Sequence, residues 1–234
     1  MTSKIVQVEK VALLLTDGPL GYGVRHAAAI ATEFAAAQAG NPHLFNGGFF
    51  LFSRPRVEVG RFRAEATATD YATFLHWRNS GWPDVGLAHI FPVGAVVTRD
   101  RRLLLGRMGA TTVNAGRFYP PSGSFDPSDL TCDGRIDPLA NILREIGEEV
   151  GIAADGWPRR DDWLVIPHGP RIALVSVIEA PFDSSDLDAE IQAHLGGEAI
   201  PELGGFEFRA FDQPLPAEQT VGYVNALLAH LHDS

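Results

Sequence analysis

The sequence predicts an α+β protein in two portions, a small β-α-β-β-α unit over residues 1–83 and a larger portion of strands mixed with a few helices over residues 84–234. Three observations lead there. Ala27, Ile30, Phe34 and Ala37 recur at helical spacing on one face. Short apolar runs, such as residues 172–178, have strand length and are bounded by turn residues. The turn-rich Asn79-Ser80-Gly81-Trp82-Pro83 closes one periodic pattern before the next begins.

In the front portion, residues 5–15 read as a strand and residues 24–38 as a helix. Asn46-Gly47-Gly48 is a turn signal, followed by a strand pair at residues 49–53 and 57–67, the second changing phase at Gly60 as a bulge would. Thr69 or Asp70 then caps a short helix carrying Phe74 and Leu75. In the rear portion, residues 89–97 and 103–107 form a hairpin around Asp100-Arg101, and residues 172–178 a buried strand. A helix near residues 187–195, a strand at 206–211 and a final helix over 217–231 complete it.

A chain of 234 residues with 45% hydrophobic content can bury a sizeable core. The formal charge of −10 argues against a nucleic-acid or anionic-membrane surface, and a phosphate ligand would need a cation beside it. The single Cys132 excludes an internal disulfide framework and fits a reducing compartment; with no histidine near it in sequence, it reads as incidental. No apolar run has membrane-span length and the N-terminus lacks a signal-peptide core, so the expected location is the cytoplasm.

The densest chemical signal is Arg144-Glu145-Ile146-Gly147-Glu148-Glu149-Val150-Gly151-Ile152. Glu145, Glu148 and Glu149 stand at i, i+3 and i+4 and share one helix face, where like charges repel unless a cation neutralises them. Hard oxygen ligands in this number suit magnesium or manganese better than zinc. Ile146 and Val150 supply an apolar stripe to dock the helix, and Gly151 ends it. Carboxylates near a helix C-terminus oppose the macrodipole, which speaks against a merely solvated face. Asp137-Pro138 supplies an N-cap and a proline at the first helical position, so the helix is expected over residues 138–150.

These nine residues resemble the C-terminal half of the Nudix box, R-E-U-x-E-E-x-G-U with U apolar, at every specified position. Upstream the pattern is irregular. Pro121-Ser122-Gly123-Ser124-Phe125-Asp126-Pro127 resembles the family's P-G-G-x-x-E-P turn, with Ser122 and Asp126 as substitutions. Gly123 lies 21 positions before Arg144 where the box has 14, which leaves an insertion of seven residues within 128–135. The box's first glutamate is thereby missing or displaced, and Asp129, Asp133 and Asp137 are the candidates to replace it.

The resemblance implies a Nudix-type α/β/α sandwich over residues 84–234 and hydrolysis of the pyrophosphate bond of a nucleoside diphosphate linked to another group. It implies a cation, Mg2+ or Mn2+, held by Glu145, Glu148 and Glu149 with the backbone carbonyl of Ser122, and an Arg144 that orients a box glutamate. A further carboxylate, the general base, would come from the region before the penultimate strand. Glu198, Glu202 and Glu207 are available there, and Glu202 is the choice. Asn41-Pro42-His43-Leu44-Phe45-Asn46-Gly47 resembles a segment preceding the Nudix fold in the UDP-glucose diphosphatase branch, which would make the front portion part of the substrate pocket. UDP-sugars, ADP-ribose and coenzyme A compounds are the substrate candidates, with no nucleic acid or membrane partner expected and a homodimer compatible with the chain. The alternative function is a non-catalytic nucleotide sensor on the same scaffold, suggested by the altered first half of the box.

The remaining residues read most simply as structural. His168 is expected at the surface of a loop before the buried strand. Trp77, Trp82 and Tyr119 are expected as core or rim aromatics, although each could stack on a base. Arg101-Arg102 and Arg159-Arg160 read as solvated loop charges, either pair able to clamp a phosphate.

Overall fold

The computed structural model describes residues 4–109, 115–197 and 202–234. The protein is α+β, with a curled mixed sheet flanked by helices. The front portion contributes β1 (Val6–Val8), β2 (Lys10–Thr16), α1 (Gly21–Gly40), β3 (Gly48–Glu58), β4 (Arg61–Asp70) and α2 (Tyr71–Asn79). The rear portion contributes β5 (Leu87–Val97), β6 (Arg102–Met108), β7 (Phe118–Tyr119), α3 (Pro138–Val150), β8 (Arg159–His168), β9 (Arg171–Glu179), α4 (Ser184–Gly197), β10 (Leu203–Ala210) and α5 (Val224–His232).

The strand order β1-β8-β9-β5-β3-β4-β2 runs through both portions, and β6 leaves it to pair with β5, β7 and β10. The expected single strand at residues 5–15 is instead two strands. β1 joins the rear portion, antiparallel to β8, while β2 runs parallel to β4 at the front edge. β3 meets β5 at Phe52 and Ser53, opposite Ala88 and Leu87. Thus the sheet crosses the expected boundary near residue 83 at two places.

Several expected features take a different form. Gly60, expected as a bulge, is the positive-φ residue of the turn that joins β3 to β4 (φ 65°). The ladder irregularity falls earlier, between Ser53 and Arg56, where Arg54 has φ 50° and Pro55 has no N–H to give. Strand β8 begins at Arg159 and Arg160, which were expected as loop charges, and its buried run Trp163 to Ile166 lies between β1 and β9. The final helix is divided into a 3-10 turn at Ala217–Gln219 and α5, with the Thr220 hydroxyl donating to the Phe118 carbonyl at 2.8 Å between them. At the end of the front portion Asp70 caps α2, its side chain accepting from the Thr73 N–H at 2.9 Å.

One core cluster lies under α3 and α4 and includes Ile142, Ile146, Val150, Leu187 and Ile191. A second lies under α5, where Val224, Leu227, Leu228 and Leu231 meet Val93, Ala95, Val175 and Val177. Gly94, in β5, lets α3 approach closely: a Cβ there would stand 2.8 Å from Ile146 and 2.9 Å from Ile142. That contact fixes the distance between the sheet and the carboxylate helix.

Candidate active site

Helix α3 spans Pro138–Val150, as the sequence predicts. The Asp137 side chain accepts from the N–H groups of Leu139 and Ala140 at 3.0 and 3.1 Å, Pro138 opens the helix, and Gly151 closes it with φ 74°. Ile142 and Ile146 are fully buried, which leaves Arg144 and Glu148 on the far side of the helix and Glu145 on its flank, against Gly123. Glu148 is exposed, Glu145 half-buried and Glu149 buried.

The turn at residues 121–127 packs directly against this helix. The Gly94 N–H donates to the Pro121 carbonyl at 2.8 Å, and the Phe50 N–H of β3 donates to the Phe125 carbonyl at 3.0 Å. The turn is therefore pinned from both portions. At Gly123 a Cβ would collide with the Glu145 side chain, so a side chain fits there only if Glu145 moves from its position. The backbone N–H of Ser122 donates to the Glu149 carboxylate.

Of the three aspartates that could replace the displaced glutamate, Asp129 is the one that reaches the helix arginine. Arg144 Nη1 lies 2.8 Å from Asp129 Oδ1, whose side chain is fully buried, whereas Arg144 Nη2 is 3.4 Å from Glu145 Oε1. Asp129 also accepts from Asn141 Nδ2 and from the Asp126 N–H, both at 2.9 Å. Its two oxygens are thus bound by a cation, an amide and a backbone donor. Asp133 is exposed and pairs with Arg135, and Asp137 is committed to the cap. The insertion itself is tied down, since the Leu15 N–H donates to the Gly134 carbonyl and the Ile136 N–H to the Leu13 carbonyl of β2.

Four carboxylates, Glu145, Glu148, Glu149 and Glu202, lie close enough to affect one another. Burial raises Glu145 to about 7, against the opposing pull of Arg144, and Glu148 and Glu202 add to the rise. Burial also raises Glu149 well above the usual carboxylate range, with Glu202 and Glu145 contributing. The expected base Glu202 therefore sits with the helix carboxylates. Glu207 is held by Arg209 at 2.6 Å on β10, and Glu198 lies outside the described residues. Among the described residues no group of three or more His, Cys, Asp or Glu side chains is already arranged as a metal chelate. The donor set nonetheless fits a hard divalent cation, because it gathers carboxylate oxygens whose mutual repulsion such an ion would relieve.

Glu145 and Glu202 line a cleft of about 630 Å³. Its walls combine Tyr71, Phe74 and Trp82 of the front portion with His89, Phe91, Tyr119, Arg171 and Tyr223 of the rear. Of the three singled-out aromatics, Trp82 and Tyr119 line this cleft, while Trp77 is a core residue with Nε1 donating to the Pro83 carbonyl at 3.0 Å. The arginine pairs are engaged elsewhere: Arg101 lies 5.3 Å over the Phe211 ring, Arg102 pairs with Asp100, Arg159 lies over Trp163 and Arg160 reaches Glu179. His168 is partly buried against Gly222, where a Cβ would collide with its ring. Sequence reasoning missed Arg171, Tyr223 and His89. Arg171 had one visible signal, a lone cation at the start of an apolar run.

No family model matches the sequence, and a search of curated proteins finds no match. Among solved structures the chain is similar to a MutT protein from Methanosarcina mazei Go1, with 15% identity, 62% of this chain and 94% of that one covered, and a TM-score of 0.43. It is similar to the Nudix hydrolase RenU from M. smegmatis, with 13% identity, coverage of 62% and 83%, and a TM-score of 0.38. It is also similar to a C. elegans Ap4A hydrolase, with 13% identity, coverage of 61% and 93%, and a TM-score of 0.39. Likeness at this level does not by itself assign an activity.

Proposed function

We propose that the protein is a divalent-cation-dependent hydrolase that cleaves the pyrophosphate bond of a nucleoside diphosphate linked to another group. The observation that carries this reading is that Glu145 and Glu202 line an aromatic cleft large enough for a small molecule, with the buried Glu149 in the field of both. Glu145, Glu148 and Glu149, with the Ser122 carbonyl, are the residues that would hold Mg2+ or Mn2+. Such an ion lowers the pKa of a bound water and offsets charge on the phosphoryl oxygens.

The chain's own residues supply the rest. Glu202 is the general base, receiving a proton from the attacking water. Arg144, anchored on Asp129, positions Glu145. Gly123 keeps the turn close enough for that positioning. The division at residue 83 is functional within this proposal: the rear portion brings the carboxylates, and the front portion brings Tyr71, Phe74 and Trp82 of the cleft wall.

The sensor reading starts from the altered first half of the box; the buried Asp129 paired with Arg144 favours the hydrolase reading over it. A coupled phosphatase assay on UDP-glucose, ADP-ribose, coenzyme A and a dinucleoside polyphosphate, with and without magnesium, tests the proposal. Turnover that requires the cation and disappears in Glu148→Gln supports it, and binding without turnover for any of these compounds overturns it.

A further inference from the structure

Arg171 opens β9 and is the register partner of His89 across the parallel β5–β9 pair. Partners in a ladder project from the same face, so both side chains enter the cleft, and Phe91 follows two residues on. Arg171 is partly buried, yet among the described residues no carboxylate pairs with its guanidinium and no carbonyl accepts from it. Its contact is the Trp82 ring, 5.9 Å from the guanidinium carbon to the centroid. A cation half removed from water without an anion is an electrostatic deficit that a ligand can remove.

Two further polar groups in the cleft have unused hydrogen-bonding capacity. Both ring nitrogens of His89 are buried without a hydrogen-bond partner, and the buried Tyr223 Oη lies beside the Ser122 side chain without a hydrogen bond of full geometry. His89 is enclosed by Phe49, Phe74 and Phe91, with centroids 5.5, 4.7 and 5.2 Å away, and burial lowers it to about 3. It is therefore a neutral ring; of the two arginines that line the cleft, Arg78 donates to Asn79 Oδ1 at 3.1 Å and Arg171 stands in register with His89. Tyr223 lines the same cleft and lies in the fields of both Glu149 and Arg171.

Trp82 is held for its role. Its backbone is left-handed, φ 58°, which a residue with a bulky side chain adopts only when its surroundings require it. It is fixed edge-on by Trp77 at 4.8 Å and by Phe74 at 5.9 Å. One face of the guanidinium is thus backed by an immobile indole.

The geometry points to Arg171 and Tyr223 as the pair that holds the phosphate remaining on the nucleoside half of the substrate, with Trp82 fixing the arginine from the front portion. This inference rests on the proposed hydrolase reading and adds a specificity-determining contact to it. A phosphate oxygen accepts from the guanidinium and from the phenol, so one group pairs the arginine and gives the phenol a full hydrogen bond.

The test is calorimetric binding of UMP, AMP and their uncharged nucleosides to the full chain in EDTA, for wild type, Arg171→Met and Arg171→Lys, with thermal unfolding as a control for folding. The expected result is that at least one nucleotide binds wild type about tenfold or more better than its nucleoside, that Arg171→Met removes this difference, and that Arg171→Lys keeps part of it. In turnover, Arg171→Met should raise KM about tenfold with kcat changed less than about threefold. Equal affinity for nucleotide and nucleoside in wild type, or an unchanged difference in Arg171→Met, overturns the inference. Hydrolysis by wild type with an unchanged KM in Arg171→Met sinks this contact and leaves the hydrolase standing. Arg171-dependent nucleotide binding with no hydrolysis of any compound does the reverse.

Discussion

Replacing Asp129 with alanine isolates the contact that stands in for the displaced box glutamate. Asp129 is fully buried and binds Arg144 at 2.8 Å, Asn141 at 2.9 Å and the Asp126 N–H at 2.9 Å. Removing one partner of a buried pair costs about 3–5 kcal/mol because the other charge is stranded. Arg144 is 32% exposed, so water recovers part of that loss, and about 2–3 kcal/mol is the expected destabilisation. For a chain of this size that corresponds to a fall of about 5–10 °C in Tm. Asp133→Ala, at an exposed pair, should stay within about 0.5 kcal/mol. Urea unfolding of the two variants beside wild type measures both values. An Asp129→Ala protein as stable as wild type, or an Asp133→Ala protein equally weakened, would refute the assignment of Asp129 as the anchor of Arg144.

Other perturbations follow from the same geometry. Gly94→Ala places a methyl 2.8 Å from Ile146 and should destabilise by about 1–3 kcal/mol, read by thermal unfolding; an unchanged Tm would mean that α3 does not seat on β5 there. Gly123→Ala should leave Tm nearly unchanged, because the colliding group is the flexible end of Glu145, while lowering kcat about tenfold or more in the phosphate-release assay. Asp100 is raised by burial but lowered more by hydrogen bonds from Thr98 and Ser184, to about 2 from 3.8. Its folded pKa is depressed, so its stabilisation is complete above pH 4 and lost as the pH falls toward 2; the acid-unfolding curve of Asp100→Asn should be correspondingly flatter over that window, and a curve superimposable on wild type would contradict this.

Much of the candidate site was legible because it is local. Asp137, Pro138 and Gly151 mark both ends of α3 in the sequence, and the i, i+3, i+4 spacing of Glu145, Glu148 and Glu149 places them on it. Parts that depend on distant pairing were not. Nothing in the order of residues tells which aspartate of the insertion bends back under Arg144, because the choice is made by the capping turn at Asp126 and by the strap of residues 134–136 on β2. The pairing of His89 with Arg171 is a parallel register between strands far apart in the chain. Strand β8 was hidden by its polar start, Arg159-Arg160-Asp161-Asp162, whose first residues do not alternate with apolar ones. Likewise the division of residues 5–15 follows from a choice of partners: β1 pairs with β8 and β2 with β4, with Glu9 between them donating its N–H to the Gly60 carbonyl at 2.9 Å.

In the proposed hydrolase the carboxylates of α3 hold a divalent cation. Titration of Mn2+ into the protein, followed by the loss of the free-ion paramagnetic resonance signal, measures this without any substrate. The account predicts saturable binding in wild type that is weakened about tenfold or more in Glu149→Gln and in Glu145→Gln, with folding retained by circular dichroism. Wild-type affinity in both variants would contradict it.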